Sequence, residues 1–289
     1  MNAPQPLAVH VDLDGAHQIF RAHGRTYGGP GDPIFTSGVR NMLQLFSDFG
    51  ITATLFVIAE DVRDPAKHAL LQEAVSLGHE LASHTVSHPN LMRLTRQEKE
   101  REIAESKALI ENAFAVRVIG FRAPGYAMDG EALTIAASAG YVFDSSVFPT
   151  ATFEKRLGRP RRELIRPQRL TSFGGIVELP LPGPVPLSSP IGPSFALAFG
   201  LPPFYWAMSR AARRGTPTVL LFHLIDFSDP LESEYCRDAR MKLFTLSIRS
   251  AAAKRDACSR MVRFVQKRFR ITSTAELLAP FTGNPTATR

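Results

Sequence analysis

Residues 7–15, LAVHVDLDG, decide the fold. Leu7, Ala8, Val9 and Val11 form an apolar, β-prone run that opens onto polar Asp14 and Gly15. A run this apolar suits a strand buried on both faces, as in a parallel sheet. Parallel sheets gather functional groups at the carboxyl ends of their strands. Asp12 and Asp14 sit at that end and, two apart on a strand, face one side. Two carboxylates on one side repel unless a cation or proton intervenes. One can bind a metal while the other stays free as a base; the alternative is a strand end with solvated acids.

The same layout recurs along the chain. Past a Gly-rich loop (Gly24, Gly28, Gly29, Gly31), Val39, Met42, Leu43, Phe46 and Phe49 keep helical spacing, and Gly50 stops that helix. ITATLFVIA (51–59) reads as a strand, 66–77 as a helix closed by Gly78, and HELASH (79–84) as a short strand. Thr95 and Glu98 form a capping box for a helix reaching about Phe114. Further strands are expected at Val116–Phe121, at YVF (141–143), at Ile176–Leu179 and at Thr218–Leu224. Helices are expected from Asp129 to about Gly140, across Phe204–Arg214 and over most of 239–269, with a last strand and short helix in ITSTAELL (271–278). Strands alternating with helices indicate an α/β fold on a parallel sheet. About seven strands favour an open or closed barrel over a Rossmann layout, and no G-x-G-x-x-G or Walker sequence is present. Residues 1–289 are expected to form a single domain, with the Pro- and Gly-rich segment at about 149–216 as an insertion.

The chain has 289 residues, 44% hydrophobic and 21% charged, which is ample for a core and excludes disordered and collagen-like architectures. A net charge of +7 raises nucleic acid, an anionic membrane or a phosphorylated substrate as partners. The excess is local: residues 155–169 carry +6 and residues 249–270 carry +7, which leaves −6 for the rest. The basic stretches carry no recognisable reading motif, so no nucleic acid is expected. Cys236 and Cys258 make no disulfide framework and no zinc knuckle. The first residues lack the basic and long apolar regions of a signal peptide. Pro202 and Pro203 interrupt the most apolar later stretch. The expected place is the cytoplasm, with peripheral contact to the inner face of a membrane.

Chemistry-bearing residues stand at the other strand ends. His84 and His88 in HTVSH are four apart; on a helical turn both imidazoles would reach one cation, and the alternative is two polar loop histidines. With Asp14 as third ligand, such a set keeps positions open for water and substrate. Arg122 in GFRAPGY could hold Asp12, and the turn could aim the Gly125 or Tyr126 N–H at a developing oxyanion. The alternative is a structural turn with a surface arginine. His223 closes the apolar strand of LLFHLIDF as a general acid or as a satisfied core histidine, with Asp144 or Asp226 to orient it. His10, His17, His23, His68 and His79 have no comparable setting.

In order, VDLDG, SHTVSH, FRAPGY, YVFDSS and LLFHL resemble the five motifs of the polysaccharide deacetylase (NodB homology) family, across roughly residues 7–227. The resemblance implies a distorted (β/α) barrel and metal-dependent hydrolysis of an N-acyl group. It implies that Asp12 is the general base, that Asp14, His84 and His88 bind the metal, that Arg122 orients the base and that His223 is the general acid. It places Asp144 in the fourth motif. The implied cofactor is one divalent ion, zinc first, although a His₂Asp set suits others. Four features depart from the common pattern: Asp-Leu-Asp replaces adjacent acids, Gly125 stands where many members have Tyr, the fourth motif lacks its Trp, and Leu224 follows His223 in place of Asp.

The motif layout is similar to the cytoplasmic branch that deacylates polyprenyl-phosphate amino sugars. The expected substrate is an N-acetyl or N-formyl amino sugar, lipid-linked or phosphorylated. The basic run 155–169 and the apolar PPFYWAM (202–208) are expected to hold a phosphate and rest on an anionic membrane surface; the alternative is a solvated loop and a core helix. Rival readings are a cytosolic amidohydrolase of a small metabolite, as in the allantoinase-like branch, a basic nucleic-acid-binding protein, and an inactive sugar-binding relative. The intact His84/His88 pair argues against the first.

Overall fold

In the computed structural model, which describes residues 4–182 and 191–282, β1 (Gln5–Asp12) is the strand around which the sheet is organised. Residues 183–190 of the expected insertion lie outside the described residues. Along one side β1 pairs with β8 (Thr218–His223). Along the other it pairs with β2 (Ala53–Val57) through its carboxyl half and with β9 (Phe269–Thr272) through its amino half. The sheet runs on from β2 through β3 (Glu80–Ser83), β4 (Gly120–Phe121), β5 (Phe143–Asp144) and β7 (Ile176–Glu178) to β6 (Gln168–Leu170). Every pairing is parallel except that of β6 with β7. Among the described residues the end strands β8 and β6 do not pair, so the sheet is an open, distorted (β/α) barrel. The α/β architecture is the expected one, with nine strands instead of about seven. The antiparallel β6 had no apolar alternation to announce it, because of its three residues only Leu170 is buried.

Between the strands lie α1 (Ala16–Ala22), α2 (Pro33–Phe49), α3 (Pro65–Ser76), α4 (Arg96–Phe114), α5 (Gly130–Ser138) and α6 (Ala151–Leu157). Then come α7 (Pro193–Phe199), α8 (Pro202–Arg214), α9 (Ala239–Phe244), α10 (Ala251–Gln266) and α11 (Thr274–Thr282). The long helices begin and end where side-chain chemistry dictates. Asp32 and Asp64 cap α2 and α3, each with proline in the first turn, and Gly50 ends α2 in the left-handed region at φ 61°. Thr95 and Glu98 form the reciprocal capping box of α4.

The strand expected over Val116–Phe121 shortens to Gly120–Phe121. The reason lies in α4. Glu111 accepts from the Val118 amide at 2.9 Å, and Lys107 donates to the Val118 carbonyl at 2.8 Å. Both backbone groups of Val118 are thus satisfied by helix side chains and not by a neighbouring strand. Cys236 and Cys258 are buried free thiols. Among the described residues, no helix is long and apolar enough to cross a membrane.

Because α4 is started by its capping box, Thr95→Ala should lower stability by about 1 kcal/mol. Urea unfolding followed by circular dichroism measures this; an unchanged midpoint would contradict it.

Candidate active site

The carboxyl ends of β1, β3, β4 and β8 bring six of the expected residues into one cluster. Asp14 Oδ1 lies 3.0 Å from His88 Nε2 and 3.5 Å from His84 Nε2. One ligand atom from each of the three falls within 4.8 Å of the others, the spacing of a cation site. Asp14 Oδ1 and His88 Nε2 are buried, yet neither makes a hydrogen bond of acceptable geometry. Leaving such groups unsatisfied costs roughly 1–3 kcal/mol each, and a divalent cation would satisfy both. His84 donates from Nδ1 to the Arg122 carbonyl at 2.8 Å. A carbonyl only accepts, so the His84 proton sits on Nδ1 and the Nε2 lone pair faces Asp14. That is the tautomer a metal ligand needs. Burial alone would raise the Asp14 carboxyl, but the facing His88, with His84 and His223, outweighs it and holds the group well below the ordinary carboxylate range. Burial pushes His84 down, whereas at His88 the Asp14 charge overcomes burial and raises the imidazole.

The loop that carries the histidines is not the expected helical turn. Thr85 and His88 adopt φ of 69° and 60°, a left-handed conformation costly for a β-branched residue. Buried Glu102 of α4 holds it there: one carboxyl oxygen accepts from the Val86 and Ser87 amides, both at 2.9 Å, and the other from the Ser87 hydroxyl at 2.9 Å. The Thr85 hydroxyl accepts from the His88 amide at 3.1 Å. Convergence of the imidazoles comes from this clamp and not from helical periodicity.

Arg122 is wholly buried at 0% exposure, and Asp12 at 2%. Arg122 Nη1 donates to Asp12 Oδ1 at 2.6 Å, Nε to the Ser145 carbonyl at 2.6 Å, and Nη2 to the Ser145 hydroxyl and to His10 Nδ1, both at 2.8 Å. The guanidinium lies 3.9 Å over the Phe56 ring. His10 accepts at Nδ1, so its proton sits on Nε2, which faces the Thr274 hydroxyl at 3.0 Å. Contacts of 2.6 Å from Thr274 to Thr54 and 2.7 Å from Thr54 to Glu80 continue the chain. Burial, then the Arg122 charge, hold the imidazole of His10 well below its usual range. His10 is therefore part of the site although sequence reasoning passed over it. Strand parity could have found it: two residues before Asp12, it shares that residue's face.

His223 Nε2 lies 3.8 Å from Asp12 Oδ2 and 3.3 Å from the Tyr126 hydroxyl. Its Nδ1 faces the Ser194 hydroxyl at 3.2 Å. The expected partners of the ring are elsewhere. Asp226 accepts from the His223 backbone amide at 2.9 Å and leaves the ring to Ser194, a residue that its Pro-rich surroundings gave no reason to choose. Asp144 is buried, accepts from the Ser146 amide and hydroxyl at 2.9 and 2.8 Å, and stands in register with Glu178; burial raises both carboxyls. None of its hydrogen bonds reaches Asp12 or His223. At the turn, Gly125 and Tyr126 have φ of 54° and 57°. The Tyr126 amide donates to the Ala123 carbonyl at 3.0 Å and is engaged within the turn.

Two cavities adjoin the cluster. A groove of about 510 Å³ passes His88 and Gly125, and a small apolar pocket of about 80 Å³ runs from Tyr126 and His223 to Phe195 and Phe204. A larger cavity of about 660 Å³, between Arg117, Tyr141 and Glu276, lies at the amino ends of the strands and holds none of these residues.

The sequence profile of the polysaccharide deacetylase family matches residues 29–143, a stretch that includes His84, His88 and Arg122. Over 113 residues the chain is 34% identical to a chitooligosaccharide deacetylase of Sinorhizobium fredii, covering 39% of this chain and 50% of that one. Over 149 residues it is 24% identical to a peptidoglycan deacetylase of Helicobacter pylori, covering 49% of each. The chain thus spans about half the length of the curated relatives it matches. In shape it resembles a Mycobacterium smegmatis structure described as a polysaccharide deacetylase (TM-score 0.64, 19% identity, 99% and 94% of the two chains). It resembles the allantoinase PuuE equally (TM-score 0.65, 12% identity, 98% and 92%). At these identities the two structures speak for the fold alone; residues 29–143 of the chain match the polysaccharide deacetylase family, and the fold agrees with that match.

Proposed function

We propose that this protein is a metal-dependent hydrolase that removes an acetyl or formyl group from the nitrogen of an amino sugar. One observation carries the reading: a carboxylate pinned by a buried arginine stands beside a His₂Asp set in which Asp14 Oδ1 and His88 Nε2 lack hydrogen-bond partners. The similarity to carbohydrate deacetylases supports it. Asp14, His84 and His88 would hold a divalent cation, zinc first among those that suit the set, and it would supply Lewis-acid activation of water and of the acyl carbonyl. Arg122 engages Asp12 Oδ1, which leaves Oδ2 turned toward His223 to take a proton from the attacking water. The Gly125 amide, in the turn beside the groove, would donate to the oxyanion of the tetrahedral intermediate. Nε2 of His223 gives a proton to the nitrogen as the C–N bond breaks. Water and amide are thereby converted to a free amine and a carboxylic acid. Asp144 stays outside this scheme as a buried structural acid.

Two features support a lipid-linked sugar. The apolar pocket opens beside His223, and α8 exposes Trp206 (47%) on the same helix as Arg210, Arg213 and Arg214. Aromatic and basic groups on one amphipathic helix suit an anionic membrane surface. In this reading the chain works at the cytoplasmic face, where a polyprenyl-phosphate sugar would meet it. An allantoinase-like activity on a small metabolite is the competing outcome.

Asp12→Asn should keep one bound divalent ion per chain by metal analysis, while kcat falls on the order of 10²–10⁴-fold; full turnover would remove Asp12 as the base. His84→Ala should lose the ion. Hydrolysis should be fastest for polyprenyl-phosphate N-acyl sugars when their amine release is compared with that from nucleotide-linked and free ones and with the ring opening of allantoin. Equal rates across the sugars would refute the lipid-linked substrate, and hydrolysis of allantoin alone would refute the sugar.

A further inference from the structure

The groove of about 510 Å³ beside His88 has a chemistry that the deacylation scheme does not use. Its walls include Arg21 from the last turn of α1, the Ser87–Asn90 loop and Arg93, and no acidic side chain lines it. Arg21 is fixed in place, since its Nη2 donates to the Ser87 carbonyl at 2.6 Å. Its nearest carboxylate, that of Glu60, is 3.9 Å away. Arg93 makes no ion pair among the described residues.

We propose that Arg21 and Arg93 form a subsite for an anionic group, a phosphate or carboxylate, carried by the substrate next to its N-acyl carbon. Placing the sugar there rests on the deacylase reading; binding of the anion does not. The groove has the size of small-molecule sites, which run to roughly 300–1,000 Å³. Guanidinium forks match phosphate and carboxylate oxygens in pairs. Arg21 is bound to the carbonyl of Ser87, the neighbour of His88, and lines the same groove as His88 and Gly125, so an anion held by Arg21 would lie within reach of the cluster.

The basic run 155–169, expected to hold the phosphate, is largely spent on the protein itself. Arg159 pairs with Glu163 at 3.6 Å and Arg161 with Glu154 at 3.1 Å. Arg169 donates to the Gly175 and Phe281 carbonyls. Arg156 reaches toward the site, where it donates to the Tyr126 carbonyl at 3.3 Å. The cations that line the groove beside the cluster come from two short segments, at Arg21 and Arg93, that no charge run marks.

The test is calorimetric titration of the metal-loaded protein with an N-acetylhexosamine 1-phosphate and with the neutral methyl glycoside of the same sugar. The wild type should bind the phosphate at least about tenfold more tightly. Arg21→Met/Arg93→Met should lose that preference and bind the neutral glycoside as the wild type does, while Arg156→Met keeps the preference. Equal affinity for both ligands in the wild type, or a preference that survives the double substitution, would overturn the subsite. The same sugar phosphate on a polyprenyl carrier in neutral vesicles separates the two sources of the anion. Tighter binding than the soluble form assigns the lipid-linked sugar, equal binding assigns the soluble one, and in either case the arginine dependence supports the subsite. A charge preference without hydrolysis of any N-acyl sugar would refute the deacylase reading and leave the subsite standing.

Discussion

Asp12 and Arg122 lose their water together, and the rest of the site is arranged around that loss. A buried carboxylate persists as an ion only if its charge and lone pairs are met. Arg122 meets one oxygen of Asp12 and spends three further donors on Ser145 and His10. Removing the arginine would leave an uncompensated buried charge, a loss of about 3–5 kcal/mol in comparable pairs. The Arg122 backbone is tied in as well, because its carbonyl sets the tautomer of His84. One residue therefore fixes both halves of the site: Asp12 through its side chain and His84 through its main chain.

Much of this was legible in the sequence because it is carried by local patterns. The β1 run, the capping box of α4 and the glycine stop of α2 each report short-range physics, and each element lies where that physics puts it. Asp12, Asp14, His84, His88, Arg122 and His223 could be named because strand ends mark them. What could not be read depends on contacts between distant segments. The convergence of His84 and His88 is imposed by Glu102, from a helix that sequence alone could not dock there. Ser194 meets His223 across 29 positions, and His10 meets Arg122 across 112. The Tyr126 amide was an available donor in sequence and is consumed in the folded turn by Ala123.

The charge of the chain takes on a narrower meaning. Basic residues dominate 155–169, yet Arg159, Arg161 and Arg169 close on carboxylates and a carbonyl of the protein itself. The cations that matter beside the cluster are two isolated arginines facing a groove without acids. Local geometry, not net charge, decides where an anionic substrate would be held.

The central claim is that Asp14, His84 and His88 bind a divalent cation next to an Asp12 fixed by Arg122. Anomalous diffraction at the zinc edge, from crystals grown with zinc, tests it most directly. The account predicts one strong peak at about 2.0–2.2 Å from an Asp14 oxygen and from one nitrogen of each histidine, the usual range for zinc with these donors. It also predicts that Asp12 remains bound to Arg122. A cluster without a peak in a folded protein, or a peak that Asp12 ligates after leaving Arg122, would contradict it.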